Sequence, residues 1–264
     1  MLGEEISSLK TMKMFVEFLG KPADIPKGSL LSSKAIISIV YNPDGSFKKF
    51  KARLVARGDI LKNIYDPDTF AGTVRADTLR LILSLAAEHA LDFVSHDIKT
   101  AFLYSDLKPE ENIYIRRPAG VSDDIMPYNV QLKKCLYGLP QASKYFDEHL
   151  SSRLLAMDFV QCVSGAEVLL LSRGGEQAIL SKHVGDCLLA AIKGSDLLSF
   201  VNSEFGNSYT LTTNIEPTNF VGMAITRDRP NKSLTLIQPH FVGTIWLFIR
   251  FLLRLQNIQC PKTF

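Results

Sequence analysis

The chain has 264 residues, of which 46% are hydrophobic and 22% charged. This composition excludes an intrinsically disordered chain, and the length is sufficient for one large domain or two small ones with a substantial core. The formal net charge of +3 is too small to indicate a nucleic-acid partner unless positive residues are concentrated on one surface.

The cysteines, the N-terminus and the apolar segments do not indicate a zinc-binding, disulfide-rich, secreted or membrane protein. None of the four cysteines stands in a Cys-x-x-Cys pair, so we expect neither a zinc site nor a disulfide framework, and a reducing compartment fits. The N-terminus lacks a basic start followed by an apolar core, so we expect no secretion signal. The apolar segment 241–255 is too short to span a bilayer and contains two arginines, which predicts a core-packed helix and no membrane partner.

Residues 1–75 are predicted to contain a helix and then a β-hairpin with a basic face. A weak amphipathic pattern over 1–20 predicts the helix, and the strand-like segments 33–41 and 48–57 flank an Asn-Pro-Asp-Gly turn. The second strand alternates, which places on one face Lys49, Lys51, Arg53 and Arg57, and on the other Phe50, Ala52, Leu54 and Ala56. Such a basic face is either an ordinary solvated edge or a surface for phosphates, since like charges repel unless anions face them.

A predicted buried strand ends at Asp97. The β-branched and aromatic residues of 91–94 favour a strand, and the preceding helix over 77–89, capped by Asp77 or Thr78, has an apolar stripe. A carboxylate at a strand end, opposite a second carboxylate from another strand, is a common way to hold Mg²⁺. A single Asp can also simply cap the following turn, so both interpretations stay open.

The second half of the chain is predicted to alternate short strands with helices. The strands cover 113–115, 130–132, 168–172, 178–184, 187–192, 209–213, 220–226 and 233–238, and the helices cover about 141–157 and 195–205. Only Gly185 and Asp186 are left between two of these strands, which predicts a tight hairpin, although a Gly-Asp tip needs no function. The order of strand, helix, hairpin, helix and further strands predicts an α+β fold close to the split βαβ plan.

Six sequence motifs stand out along the chain: F-K-A-R-L-V-A-R-G (50–58), D-T-F-A-G-T-V (68–74), H-D-I-K-T-A-F-L (96–103), I-Y-I-R-R-P (113–118), C-L-Y-G-L-P-Q-A (135–142) and F-V-G-M-A-I (220–225). In order and spacing they resemble the reverse transcriptase of copia-type LTR retrotransposons. The resemblance extends from about Glu5 to Pro261. It implies a right-hand polymerase fold with fingers mainly in 1–75, a palm with a ferredoxin-like sheet and finger insertions in 76–238, and only the start of a thumb or connection in 239–264, so that the thumb is largely absent.

The resemblance implies DNA synthesis on an RNA or DNA template-primer from deoxynucleoside triphosphates, with two Mg²⁺ ions at the reacting phosphate. Asp97 would hold both ions, with Asp186 and the Ile98 carbonyl as further ligands. The resemblance also implies a cytoplasmic location, in a virus-like particle, or a nuclear one, without secretion.

Basic and aromatic residues would contact the substrates, again by resemblance. The residues implied at the incoming nucleotide are Lys51, Arg53, Phe102 and Gln141, and those implied at the nucleic acid are Lys49 and Arg57. Lys51 and Arg53 would approach the triphosphate, Phe102 would press on the sugar and reject a 2′-hydroxyl, and Gln141 would lie beside the nucleotide. Core packing and helix capping are the alternative interpretations for Phe102 and Gln141.

The chain departs from the family at the tip of the predicted hairpin. Copia-type enzymes carry Tyr-Val-Asp-Asp there, whereas this chain has His183-Val184-Gly185-Asp186. Gly185 replaces an Asp that is a metal ligand in the family, and glycine offers no oxygen except its carbonyl. Phe146 stands near the family's Trp, and 161–167 lacks the family's Asp-x-Cys-Phe-like pattern. Three interpretations stay open: a degenerate or truncated reverse transcriptase of weak or no activity, a non-catalytic nucleic-acid-binding relic, and an unrelated α+β domain.

Overall fold

The described part of the chain is a mixture of helices and mainly antiparallel sheets. The computed structural model describes residues 2–41, 46–61, 67–163 and 165–238, with isolated helical positions between 242 and 249. In chain order the elements are α1 (Leu2–Thr11), β1 (Phe15–Glu17), β2 (Leu30–Tyr41), β3 (Phe47–Ala56), α2 (Ala76–Glu88), β4 (Asp92–Ile98), β5 (Tyr114–Arg116), β6 (Asn129–Leu132), α3 (Ala142–Leu155), β7 (Val160–Cys162), β8 (Gly165–Arg173), β9 (Glu176–His183), β10 (Asp186–Ala191), α4 (Asp196–Ser208), β11 (Leu211–Ile215), β12 (Asn219–Phe220), β13 (Met223–Asp228) and β14 (Ser233–Ile237). The predicted α+β class is confirmed.

The chain divides into two compact units. The first unit is formed by Met1–Thr73 and Lys99–Phe159, and the second by Val74–Ile98 and Val160–Phe264. Each unit has its own buried apolar cluster. No helix in the described ranges is long and apolar enough to cross a membrane.

The first unit is built on a five-stranded sheet in the order β1-β6-β5-β2-β3. β2 and β5 are parallel, and the other neighbouring pairs are antiparallel. One face of the sheet is buried together with α1, since Ile6 and Leu9 share a core with Leu54 and Ile115. The apolar side of α3 is buried as its spacing predicts, with Phe146, Leu150 and Leu154 inaccessible to solvent.

The predicted alternation along β3 holds only for the inner part of the strand. Ala52, Leu54 and Ala56 are buried, as predicted. Phe50 is instead 49% exposed, because the buried cluster does not extend to it and its ring packs against Phe47 at 5.0 Å between centroids. The turn predicted at 42–45 lies outside the described residues.

The second unit contains a six-stranded antiparallel sheet in the order β11-β4-β10-β9-β8-β7 and a three-stranded sheet in the order β12-β13-β14. β4 lies between β10 and β11, so the strand that carries Asp97 and the predicted 178–192 hairpin are neighbours in one sheet. The predicted strand over 220–226 is two strands, because Val221 and Gly222 both have positive φ and turn the chain. The helix predicted over 241–255 lies almost entirely outside the described residues.

Helix α2 supplies part of the core of the second unit. Its predicted apolar stripe is buried in full and consists of Leu79, Ile82, Leu83, Ala86 and Ala87. The helix begins one residue earlier than predicted, so Arg75 is the N-cap and neither Asp77 nor Thr78 is. The Asp77 carboxylate instead accepts a hydrogen bond from the Arg75 guanidinium at 2.9 Å, which holds its charge at the helix start where the helix dipole favours it.

Two glycines allow the loop before α3 to dock on the end of β3. The Ala56 N–H donates to the Tyr137 carbonyl at 2.8 Å. A Cβ on Gly138 would lie 2.1 Å from the Ala56 carbonyl oxygen, and a Cβ on Gly58 would lie 2.2 Å from the Gly138 carbonyl oxygen. Only residues without a side chain fit at this approach of the two backbones.

We expect Gly138→Ala to destabilise the chain more than Gly120→Ala. Both glycines have positive φ, +90° and +80°, but nothing lies within 4 Å of a Cβ on Gly120. The control substitution should therefore lower the free energy of unfolding by roughly 1–2 kcal/mol of backbone strain, and Gly138→Ala by roughly 2–5 kcal/mol, because overpacking against backbone is added. Chemical denaturation measures both, and equal losses would contradict the docking described above.

Candidate functional site

The register of β4 and β10 places two carboxylates side by side in the second unit. Asp97 lies directly opposite Asp186, and the neighbouring Ile98 N–H donates to the Gly185 carbonyl at 2.8 Å. Hydrogen-bonded and non-hydrogen-bonded pairs alternate along an antiparallel ladder, so Asp97 and Asp186 form a non-hydrogen-bonded pair, the kind with the closer side chains. Both residues are half-buried and lie on the same face of the sheet, with Cβ atoms about 5 Å apart in such pairs.

This pair fits a divalent cation in chemistry, because carboxylate oxygens are the hard ligands that Mg²⁺ prefers. The next position at this end of the sheet is Gly185, which has no side chain to add. No cluster of three or more His, Cys, Asp or Glu side chains suited to a metal occurs within the described residues. The Ile98 side chain is buried, and the structure leaves the proposed role of its carbonyl as a prediction.

The tight turn between β9 and β10 lies one residue earlier than predicted. His183 pairs with Asp186, so the turn consists of Val184 and Gly185, and Asp186 is the first residue of β10. Val184 has a φ of +55°, which is rare for a β-branched residue. Because Asp186 lies inside the ladder, the sheet fixes its position opposite Asp97.

Behind the carboxylates, the other face of the same strands carries a buried polar row. Cys187 pairs with His96 on one side and with Lys182 on the other, and all three residues are at most 1% exposed. Burial lowers the pKa of His96 to about 4 and raises the pKa of Cys187 to about 12. The imidazole is therefore neutral and the thiol protonated at pH 7, and His96 packs against Phe205 with ring centroids 5.2 Å apart. Cys187 therefore offers no thiolate nucleophile at pH 7.

The basic face predicted for the hairpin is present in the first unit and includes a residue that sequence reasoning missed. Lys49, Lys51 and Arg53 alternate along β3. Lys34 on β2 lies opposite Val55 and so shares their face, which only the β2–β3 register reveals. Arg57 lies just beyond the end of β3 and pairs with Asp59 at 2.6 Å, so the strand-face argument does not extend to it.

Arg53 and Phe102 are brought together by Tyr137, a second residue that sequence reasoning missed. The Arg53 guanidinium carbon lies 5.5 Å from the centroid of the Tyr137 ring. The Tyr137 ring meets Phe102 edge to face at 5.2 Å, and Phe102 meets the buried Phe146 ring in the same way at 6.4 Å. The only signal in the sequence is that Tyr137 belongs to the C-L-Y-G-L-P-Q-A motif.

Gln141 is a buried member of a polar network. Its amide donates to the Glu111 carboxylate at 3.2 Å, and the Tyr145 hydroxyl donates to the same oxygen at 2.9 Å. The other Glu111 oxygen accepts from the Lys108 N–H at 3.1 Å. Gln141 is fully buried and its side chain does not cap α3, so the described geometry gives it structural partners, and its contact with a nucleotide stays a prediction.

Comparisons with known proteins agree with the motifs. The sequence model of the family "Reverse transcriptase (RNA-dependent DNA polymerase)" matches residues 35–249. The retrovirus-related Pol polyprotein from transposon TNT 1-94 of Nicotiana tabacum is 30% identical over 247 residues, 92% of this chain and 18% of the relative. The corresponding polyprotein from transposon RE1 of Arabidopsis thaliana is 31% identical over 163 residues, 61% of this chain and 11% of the relative.

These relatives are much longer than the chain, which spans between 11% and 18% of their length. Among solved structures, a foamy viral protease-reverse transcriptase in complex with double-stranded DNA covers 97% of this chain and 36% of its own, with a TM-score of 0.49 and 13% identity.

Proposed function

Since the chain belongs to the reverse transcriptase (RNA-dependent DNA polymerase) family, we propose that its two units serve as the fingers and the palm of a copia-type retrotransposon reverse transcriptase domain. The second unit is the proposed palm, and its strand order β11-β4-β10-β9 supports a ferredoxin-like sheet. The first unit is the proposed fingers, and its second segment, Lys99–Phe159, corresponds to the expected finger insertions.

The proposed partners are an RNA or DNA template-primer and deoxynucleoside triphosphates. The basic face of β3 would contact phosphates, and Phe102 would contact the sugar of the nucleotide. Gln141 would lie beside the nucleotide while its amide stays hydrogen-bonded to the buried Glu111 carboxylate. We also propose a cytoplasmic or nuclear site of action, which the free thiols of Cys135, Cys162 and Cys187 support.

The observation that carries the proposal is the pairing of Asp97 with Asp186 across β4 and β10. These carboxylates would hold Mg²⁺, with the Ile98 carbonyl as a candidate further ligand. When bound, two Mg²⁺ ions would lower the pKa of the primer 3′-hydroxyl and neutralise charge on the triphosphate. The chain's own contribution is to fix two negative charges on one rigid ladder, so that the ligands need no rearrangement.

A second candidate function is binding of nucleic acid without synthesis. The observation that favours it is Gly185, which leaves the turn without the carboxylate that copia-type enzymes carry at this position. Fewer anionic ligands weaken the hold on a divalent cation. We propose that the missing carboxylate at Gly185 impairs catalysis in this copy.

We expect Gly185→Asp to raise the rate of primer extension by about a hundredfold or more, because small misplacements of reacting groups have effects of that size. Asp97→Asn in the Gly185→Asp protein should abolish the gain. Gly206→Asp is the control, since it adds the same charge at an exposed position of α4 in the same unit, where nothing lies within 4 Å of a Cβ and the backbone has no positive φ.

The three outcomes of this assay separate the two candidate functions. An increase that depends on Asp97 supports a damaged polymerase. Wild-type protein that already extends a primer as fast as Gly185→Asp would contradict the proposed impairment. Extension by neither protein, with binding intact, would favour the binding relic.

We expect the basic face to produce a salt-dependent affinity for primer-template. Charge reversal of Lys51 and Arg53 should reduce the slope of log affinity against log salt concentration by about 2, since each lost phosphate contact removes roughly 0.9. Lys13 and Lys27 are exposed residues of the same unit that lie off this face, and their double charge reversal changes the net charge equally. A slope that both double variants change alike would show that net charge, and not the face, controls binding.

A further inference from the structure

Tyr137 lies between two side chains that the proposed function assigns to one nucleotide. Arg53 packs over its ring at 5.5 Å, and Phe102 meets its edge at 5.2 Å. Resting on the proposed function, we infer that Tyr137 is a positioning residue: it holds Arg53 for the triphosphate and Phe102 for the sugar of an incoming deoxynucleoside triphosphate.

The position of Tyr137 is fixed by the strand that carries Arg53. Its carbonyl accepts from the Ala56 N–H, three residues along β3 from Arg53. The next residue, Gly138, lies too close to β3 for a Cβ. Leu136 and Leu139 on either side are buried. The position of the ring is therefore fixed by the backbone contacts of Tyr137 and Gly138 with β3.

Phe102 packs edge to face against two aromatic rings. Its ring is nearly perpendicular to Tyr137, at 68°, and to Phe146, at 79°. Phe146 is fully buried, whereas Tyr137 and Phe102 are half-buried. Edge-to-face contacts of this kind favour one ring orientation. Loss of the Tyr137 ring would leave Phe102 with one of its two aromatic neighbours and widen its range of positions.

The Tyr137 ring also orients the Arg53 guanidinium so that it can bind an anion. A guanidinium stacked on an aromatic face keeps its edge donors available for phosphate oxygens. The Arg53 Nε is buried and has no hydrogen-bond partner among the described residues. Tyr137 thus connects the side chain that would bind the triphosphate with the one that would exclude a 2′-hydroxyl, and affinity and sugar preference should change together when the ring is lost.

The test is nucleotide binding to a complex of the full chain with a dideoxy-terminated primer on its template, which reports binding without catalysis. The next complementary deoxynucleotide or ribonucleotide is titrated. The measured quantity is the fraction of protein that stays bound to the primer-template after an excess of competitor nucleic acid is added. Tyr137→Leu should weaken deoxynucleotide binding about three- to tenfold and reduce the preference over the ribonucleotide by a similar factor. Tyr137→Phe, which keeps the ring, should retain both.

Tyr128→Leu is the matched control, because Arg116 and Arg117 lie within 5.7 Å of that ring in the same unit and none of these residues belongs to the contacts that join Arg53, Tyr137 and Phe102. It should change neither quantity. Wild-type protein that forms no nucleotide-dependent complex would overturn the proposed nucleotide binding and the inference with it. A wild-type complex whose sugar preference is unchanged in Tyr137→Leu would overturn the inference alone.

Should Tyr137→Leu fail to fold, Arg53→Lys tests the same contact from the other side. Lysine keeps the charge but loses the planar stack on the ring. We expect weaker deoxynucleotide binding with the preference over the ribonucleotide retained, because the backbone still anchors the Tyr137 ring against Phe102. An unchanged affinity for the deoxynucleotide in Arg53→Lys would overturn the inference.

Discussion

The hydrogen-bonded ladder between β4 and β10 is the constraint on which the candidate metal site depends. It places Asp97 opposite Asp186. Because the neighbouring Ile98 and Gly185 are hydrogen-bonded to each other, Asp97 and Asp186 form a non-hydrogen-bonded pair, the kind whose side chains lie closer together. A shift of one residue would turn Asp186 to the other face of the sheet, among the buried row of His96, Cys187 and Lys182. The close packing of that row, in which all three side chains are at most 1% exposed, opposes such a shift.

The first unit uses the same kind of constraint for a different purpose. β3 is an edge strand of its sheet, and the backbone contacts at Ala56 and Gly138 attach the loop before α3 to that edge. This attachment places the Tyr137 ring next to the Arg53 guanidinium. Edge strands expose unpaired backbone groups, so the docked loop both protects the end of β3 and brings an aromatic ring to its basic face.

Much of the fold could be predicted from the sequence because it depends on local periodicity. The stripe of α2 and the buried residues Ala52, Leu54 and Ala56 follow from spacings of 3.6 and 2 residues. The features that could not be predicted depend on pairing between distant segments: Lys34 joins the basic face through the β2–β3 register, and Tyr137 reaches Arg53 through a loop contact. The pair of Asp97 and Asp186 was expected from family motifs, since no local pattern specifies which strands are neighbours.

The central claim is that Asp97 and Asp186 together form a divalent-cation site, and Mn²⁺ binding followed by electron paramagnetic resonance tests it most directly. Mn²⁺ accepts the same oxygen ligands as Mg²⁺. The account predicts that the wild-type chain binds Mn²⁺, that Mg²⁺ displaces it, and that Asp97→Asn or Asp186→Asn lowers the affinity at least about tenfold, whereas the exposed Asp196→Asn in the same unit does not. Mn²⁺ binding that is absent, or equal in all these proteins, would contradict the account.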